Sequence, residues 1–181
     1  MPPHRVLLIG MMGAGKSTVG RLLADRLGWP YWDSDEQVEA HTGHSVPEIF
    51  AARGEAAFRA EEALALVEAT TGDGPAVLSV AGGAVLDADN RQRIKRAGLV
   101  VWLRGSVATL ARRVGSGQGR PLLSGDPEAA LARLLVEREP LYEQLADLVV
   151  DVDQLDAEAA VEKIQAVLRA GAPGPGREGG S

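Results

Sequence analysis

The chain has 181 residues, 45% of them apolar, with 25 acidic and 19 basic side chains and a formal net charge of −6 at pH 7. This length and apolar fraction suit one compact domain with room for a small insert, and they exclude disorder throughout. Net acidity disfavours nucleic acid or an anionic membrane as a partner of the whole molecule, and the absence of cysteine removes disulfides, thiolate metal sites and thiol nucleophiles, so a cytoplasmic location is expected.

Val6-Leu7-Leu8-Ile9, closed by Gly10, predicts a strand buried on both faces and is too short for a signal peptide or membrane span. Ser17 to Leu27 has apolar residues at helical spacing and ends at Gly28, which predicts a helix with a glycine C-cap. From Asp33 to about Ala69, two short helical pieces and a longer one follow with no strand between them. One of these pieces starts at the capping box Ser45-Val46-Pro47-Glu48. Further apolar runs at Ala76 to Val80, Leu99 to Leu103 and Leu148 to Val152 alternate with helical stretches such as Glu55 to Ala69 and Glu128 to Arg138. That alternation predicts an α/β fold with a parallel sheet. Gly171 to Ser181, with five glycines and two prolines, reads as a flexible tail.

Gly10-Met11-Met12-Gly13-Ala14-Gly15-Lys16-Ser17 fits G-x-x-x-x-G-K-[ST] and lies after a predicted strand and before a predicted helix. In such a loop, backbone N–H groups point at phosphate oxygens and the helix N-terminus adds positive partial charge. Lys16 supplies a cation for the β and γ phosphates and Ser17 a magnesium ligand, so ATP or a related nucleotide with Mg2+ is the expected ligand. No guanine-reading Asn-Lys-x-Asp occurs, and Leu148-Val149-Val150-Asp151 reads as a strand ending in a solvated carboxylate.

Tyr31-Trp32-Asp33-Ser34-Asp35 sets two carboxylates on alternate positions. In extended backbone both would face the nucleotide edge, one for magnesium and one as a base on a substrate hydroxyl. The local alternative is helix capping, for which all three polar residues are suited.

The chain resembles the shikimate kinases. The resemblance runs from Val6 to about Leu168 and rests on the phosphate loop, Asp33-x-Asp35, Phe58-Arg59-x-x-Glu62, Gly82-Gly83-Ala84-Val85, Arg120-Pro121-Leu122-Leu123 and Arg138-x-Pro140-Leu141-Tyr142. It implies a P-loop kinase fold with a five-stranded parallel sheet, a helical substrate-binding insert at about 33–69 and a mobile lid at about 112–125. It also implies ATP-dependent phosphorylation of the shikimate 3-hydroxyl, in the route to chorismate and aromatic amino acids.

Carried over residue by residue, Gly13, Ala14, Gly15, Lys16, Ser17 and Thr18 bind ATP, while Ser17 and Asp33 serve one Mg2+. Asp35 is the base, and Arg59 and Arg138 bind the substrate carboxylate with Gly82 and Gly83 beside the ring. Arg120 reaches the phosphates from the lid. A guanidinium fork matches a carboxylate better than an ammonium does, although Arg59 and Arg138, each beside glutamates, would locally read as solvated helix residues. Glu62 is expected to orient Arg59, Arg113 to stack on adenine, and the glycines of 115–119 to act as lid hinges. A monomer is expected.

Two departures stand out. Ala81 occupies a position where many members have glycine, which requires φ below zero, and the stretch Asp151-Val152-Asp153-Gln154-Leu155 lacks the arginine that some members carry near the final strand to cover adenine. Gluconate, another small hydroxy acid or a nucleoside monophosphate are alternative acceptors; a nucleotide-gated binding protein without transfer chemistry is the alternative from another class. Residues 90–125 carry eight basic side chains and no acidic ones, leaving −14 for the rest. The charge that suits ATP is therefore local and hidden in the net value.

Overall fold

The computed structural model describes residues 4–171, so nearly all of the expected tail lies outside the described residues. Five strands, β1 (Arg5–Ile9), β2 (Tyr31–Asp33), β3 (Ala76–Ser79), β4 (Leu99–Arg104) and β5 (Leu148–Asp151), form one sheet in the order β2-β3-β1-β4-β5. Every pairing is parallel, with Val6 opposite Val77 on one side and Leu99 on the other. All five residues of β1 are buried, as its unbroken apolar run requires when helices cover both faces.

Helices α1 (Lys16–Leu27) and α7 (Ala157–Arg169) pack together, while α4 (Ala88–Ala97) packs on α6 (Pro127–Leu145), as does α5 (Val107–Val114). Because β1 pairs with β3 and β4, the chain order reverses at its C-terminal end, and this is where open parallel sheets form their ligand crevice. The loop Gly10 to Gly15 lies there.

The connection from β2 to β3 is helical, with α2 (Ser34–Thr42) followed by α3 (Val46–Thr71). The Ser45 capping box is formed in both directions. Gly54, at φ 81°, breaks α3 into a short first part and a longer second part, which accounts for the separate pieces expected from sequence. Val38, Ile49, Phe58 and Ala65 make a second small core, so the insert has apolar support of its own. The rings of Phe50 and Phe58 meet at 4.9 Å there.

Two boundaries differ from the sequence reading. Helix α6 continues to Leu145 through Pro140. Proline removes one intrahelical donor, but buried Arg138, Tyr142 and Leu145 keep the next turns on the sheet. Asp35 does not extend β2, since the chain turns helical at Ser34. No described non-glycine residue has positive φ, so Ala81 meets the condition set for it. No helix among the described residues is long and apolar enough to cross a membrane.

Candidate active site

The phosphate loop begins at Gly10, whose φ is 141° and where a Cβ would lie 2.6 Å from the Leu103 carbonyl oxygen. Only glycine lets the loop leave β1 so close to β4. Lys16 Nζ donates to the carbonyls of Gly10 at 2.8 Å and Met11 at 3.0 Å, which holds the ammonium over the loop mouth. Burial lowers its pKa to about 8 despite the opposing pull of Asp35 and Asp33. Incoming phosphate would favour the charged form.

Asp33 reconciles the two readings of the carboxylate pair. Its Oδ1 caps α2, accepting from the backbone N–H of Asp35 at 3.0 Å and Glu36 at 3.3 Å. Its Oδ2 accepts from Ser17 Oγ at 3.0 Å and Tyr31 Oη at 3.0 Å. Burial pushes the Tyr31 hydroxyl up to about 12, so it remains a donor. Ser17 Oγ and Asp33 Oδ2 are hard oxygens on one spot beside the phosphate loop. That donor set fits Mg2+, which takes few protein ligands and completes its shell with phosphate and water.

Asp35 is delivered by the first turn of α2 instead of by the strand. Burial and the neighbouring Asp33 raise its pKa, against Lys16 and Arg120, which moves this carboxyl toward the range useful to a general base.

Opposite it, Arg59 donates to both oxygens of Glu62 at 2.9 and 3.0 Å, and also to Glu55 at 3.3 Å. Glu62 is 0% exposed, and burial pushes it up to about 7 even with Arg59 beside it. Gly83 lets the guanidinium lie flat on the turn after β3, since a Cβ there would fall 2.2 Å from Arg59 Nη2.

Arg138, from α6, is 1% exposed. Its Nε has no hydrogen-bond partner, nor has that of Arg59, and Arg138 takes part in no ion pair among the described residues. Burying a cation without an anion is costly, so this arrangement points to an anionic ligand. Tyr142 Oη donates to the Gly82 carbonyl at 2.6 Å and so anchors the glycine turn to α6.

Lys16, Asp33, Asp35, Arg59, Glu62 and Arg138 line one cavity of about 860 Å³. All fourteen residues that the sequence assigned to ATP, metal, substrate or catalysis border it. Arg113 is one of them, and its guanidinium donates to the carbonyls of Gly13 at 3.3 Å, Ala14 at 3.2 Å and Val152 at 3.2 Å. It thereby ties the phosphate loop to the segment after β5. Arg120 lies in the segment between Gly119 and a short 3-10 turn, Pro121–Leu123.

The roles of Tyr31, Ser79 and Tyr142 were not visible in sequence; a tyrosine two residues before the capping Asp33 was the available signal for the first.

Residues 12–169 match the family described as shikimate kinase. The chain belongs to the shikimate kinase family. It is 46% identical over 171 residues to a shikimate kinase of Bordetella pertussis, covering 93% of this chain and 81% of that one. A shikimate kinase of Methylococcus capsulatus is 46% identical over 162 residues, covering 89% and 90%. Among solved structures, the shikimate kinase from Acinetobacter baumannii in complex with shikimate matches with TM-score 0.88 and 39% identity, over 92% of this chain and 93% of that one. A gluconokinase from Sinorhizobium meliloti matches with TM-score 0.68 and 25% identity, over 94% of each chain. Shikimate kinases thus resemble this chain more than that sugar-acid kinase does, in both backbone and sequence.

Proposed function

We propose that the chain transfers the γ-phosphoryl group of ATP to the 3-hydroxyl of shikimate, giving shikimate 3-phosphate and ADP. The observation that carries this reading is the buried, unpaired guanidinium of Arg138 beside Arg59, in the same cavity as the phosphate loop. Two guanidinium groups form a receptor for a small carboxylate, and their rigid support fixes the angle at which an acceptor hydroxyl meets the γ-phosphate.

Asp35 accepts the proton of that hydroxyl as its oxygen bonds to phosphorus and the bond to the ADP oxygen breaks. Lys16 and Arg120 offset charge on the phosphoryl oxygens. Mg2+ would be held by Ser17 and Asp33, and when bound it neutralises phosphate charge. Arg113 frames the adenine end, with Val152 and Leu155 on the cavity wall. The insert at 33–69 carries the acceptor and the segment at 112–125 acts as the lid. Monomeric action in the cytoplasm, on the route to chorismate, completes the reading.

The test is ADP release with MgATP and a panel of shikimate, gluconate and nucleoside monophosphates. Turnover with shikimate and not with the others is expected; no turnover with shikimate refutes the reading. Asp35→Asn should lower kcat by about 10²-fold or more while ATP affinity stays near that of the parent protein.

A further inference from the structure

Tyr31 opens β2, and its ring is fixed before its hydroxyl does anything. Gly20 leaves the ring its space, since a Cβ there would lie 2.6 Å from Tyr31 Cε2. The Arg21 guanidinium sits over the ring at 4.6 Å from its centroid. From this seat Oη lies 3.0 Å from Asp33 Oδ2 and 2.9 Å from Ser79 Oγ. Ser79 is itself buried, and its Oγ lies 3.0 Å from the Lys16 carbonyl oxygen at the start of α1.

A phenol has one proton to give, and an ionised carboxylate is a stronger acceptor than a serine hydroxyl. The Tyr31 proton therefore belongs to Asp33, while Ser79 limits where the phenol oxygen can sit. Asp33 Oδ1 is committed to capping α2, so only Oδ2 is available to a ligand. Apart from Ser17, itself a proposed ligand of the cation, Tyr31 is the group that holds this oxygen.

We propose that Tyr31 is a positioning residue whose hydroxyl aims Asp33 Oδ2 at the divalent cation, with the neighbouring Ser79 Oγ limiting where that hydroxyl can sit. This rests on Ser17 and Asp33 being the ligands of the cation. Partners that orient a metal ligand typically contribute about 10- to 100-fold in affinity. Both side chains carry the effect through a single oxygen, and Tyr31 is not among the residues lining the cavity.

The test is calorimetric titration of ADP into the full chain, once with Mg2+ and once with EDTA, so that the gain in affinity due to the metal is read without turnover. Tyr31→Phe keeps the ring packed between Gly20 and Arg21. Its metal-dependent gain is expected to fall about tenfold, with metal-free ADP affinity within about twofold of the parent. Ser79→Ala should move the gain in the same direction by less.

Asp33→Asn separates this inference from the reading beneath it. If Asp33→Asn loses the gain and Tyr31→Phe keeps it, the ligand assignment stands and the role of Tyr31 is overturned. If Asp33→Asn keeps the gain, both are overturned. An equal loss of affinity with and without metal in Tyr31→Phe marks a merely structural residue and also overturns the proposal. Should Tyr31→Phe not fold, Ser79→Ala decides: an undiminished metal-dependent gain overturns it.

Discussion

Replacing Arg138 by methionine should separate binding from folding in a way that few buried substitutions do. The side chain is 1% exposed, its Nε lacks a partner and no carboxylate pairs with it directly, so in the ligand-free protein its desolvation is offset only in part, by the nearby Glu62 and Tyr142. Methionine keeps much of the aliphatic volume and removes that charge, so the ligand-free melting temperature should stay constant or rise. With substrate present the balance reverses. Truncating one side of a buried, hydrogen-bonded charge pair costs about 2–5 kcal/mol. Taking about 3 kcal/mol, and about 1.4 kcal/mol per tenfold, the KM for shikimate should rise on the order of 10²-fold.

The assay is ADP release with shikimate varied at saturating MgATP, alongside thermal unfolding with and without shikimate. The KM for ATP should move by less than about twofold, and the thermal stabilisation given by shikimate should vanish. A fall of more than about 4 °C in the ligand-free protein, roughly 1–2 kcal/mol for a chain of this size, together with an unchanged shikimate KM, would refute the reasoning. Arg138 would then be a structural cation.

Two other perturbations test neighbouring parts of the structure. Gly83→Ala would place a methyl 2.2–2.5 Å from the Arg59 guanidinium, whereas Gly98→Ala would place one 2.4 Å from the Arg5 carbonyl oxygen. The first can relieve itself by displacing a side chain, so shikimate KM should rise by more than about tenfold with little change in melting temperature. The second meets backbone and should lower the melting temperature by several degrees; similar unfolding curves for both would contradict this division. Glu62 is held up to about 7 by burial, above its ordinary 4.5. The folded state thus holds this proton more tightly than the unfolded one, and ligand-free stability should fall as pH rises across that window. Denaturant unfolding of Glu62→Gln should show a flatter pH slope between those values; an identical slope would remove Glu62 as the cause.

The parts of this protein legible in sequence are those in which neighbouring residues act together. Gly10 to Ser17 works as contiguous backbone, so its glycines, Lys16 and Ser17 announce a phosphate site wherever they occur between a strand and a helix. The same locality made the Ser45 capping box readable. Asp33 and Asp35 were legible as a pair but not in their geometry. An extended chain would place them on one face, whereas Asp33 ends the strand by capping α2, and the helix then carries Asp35 toward Lys16 and Arg120.

Arg138 marks the other limit. Beside Glu137 and Glu139 it reads locally as a solvated helix residue. Its burial arises because α6 runs on through Pro140 and packs Tyr142 and Leu145 against the core. The links of Tyr31 to Ser79 and of Tyr142 to Gly82 join residues 48 and 60 positions apart, with no periodicity to mark them.

The sequence by itself thus determined the phosphate chemistry, the parallel α/β frame and the residue types available to an acid substrate. The opening length and charge held one frame with its positive charge concentrated in 90–125. Only the tertiary structure decided that Arg138 loses water with no direct ion-pair partner, and which hydroxyls meet the Asp33 carboxylate. Burial and long-range hydrogen bonding depend on where distant segments meet, and no local pattern of residues fixes that.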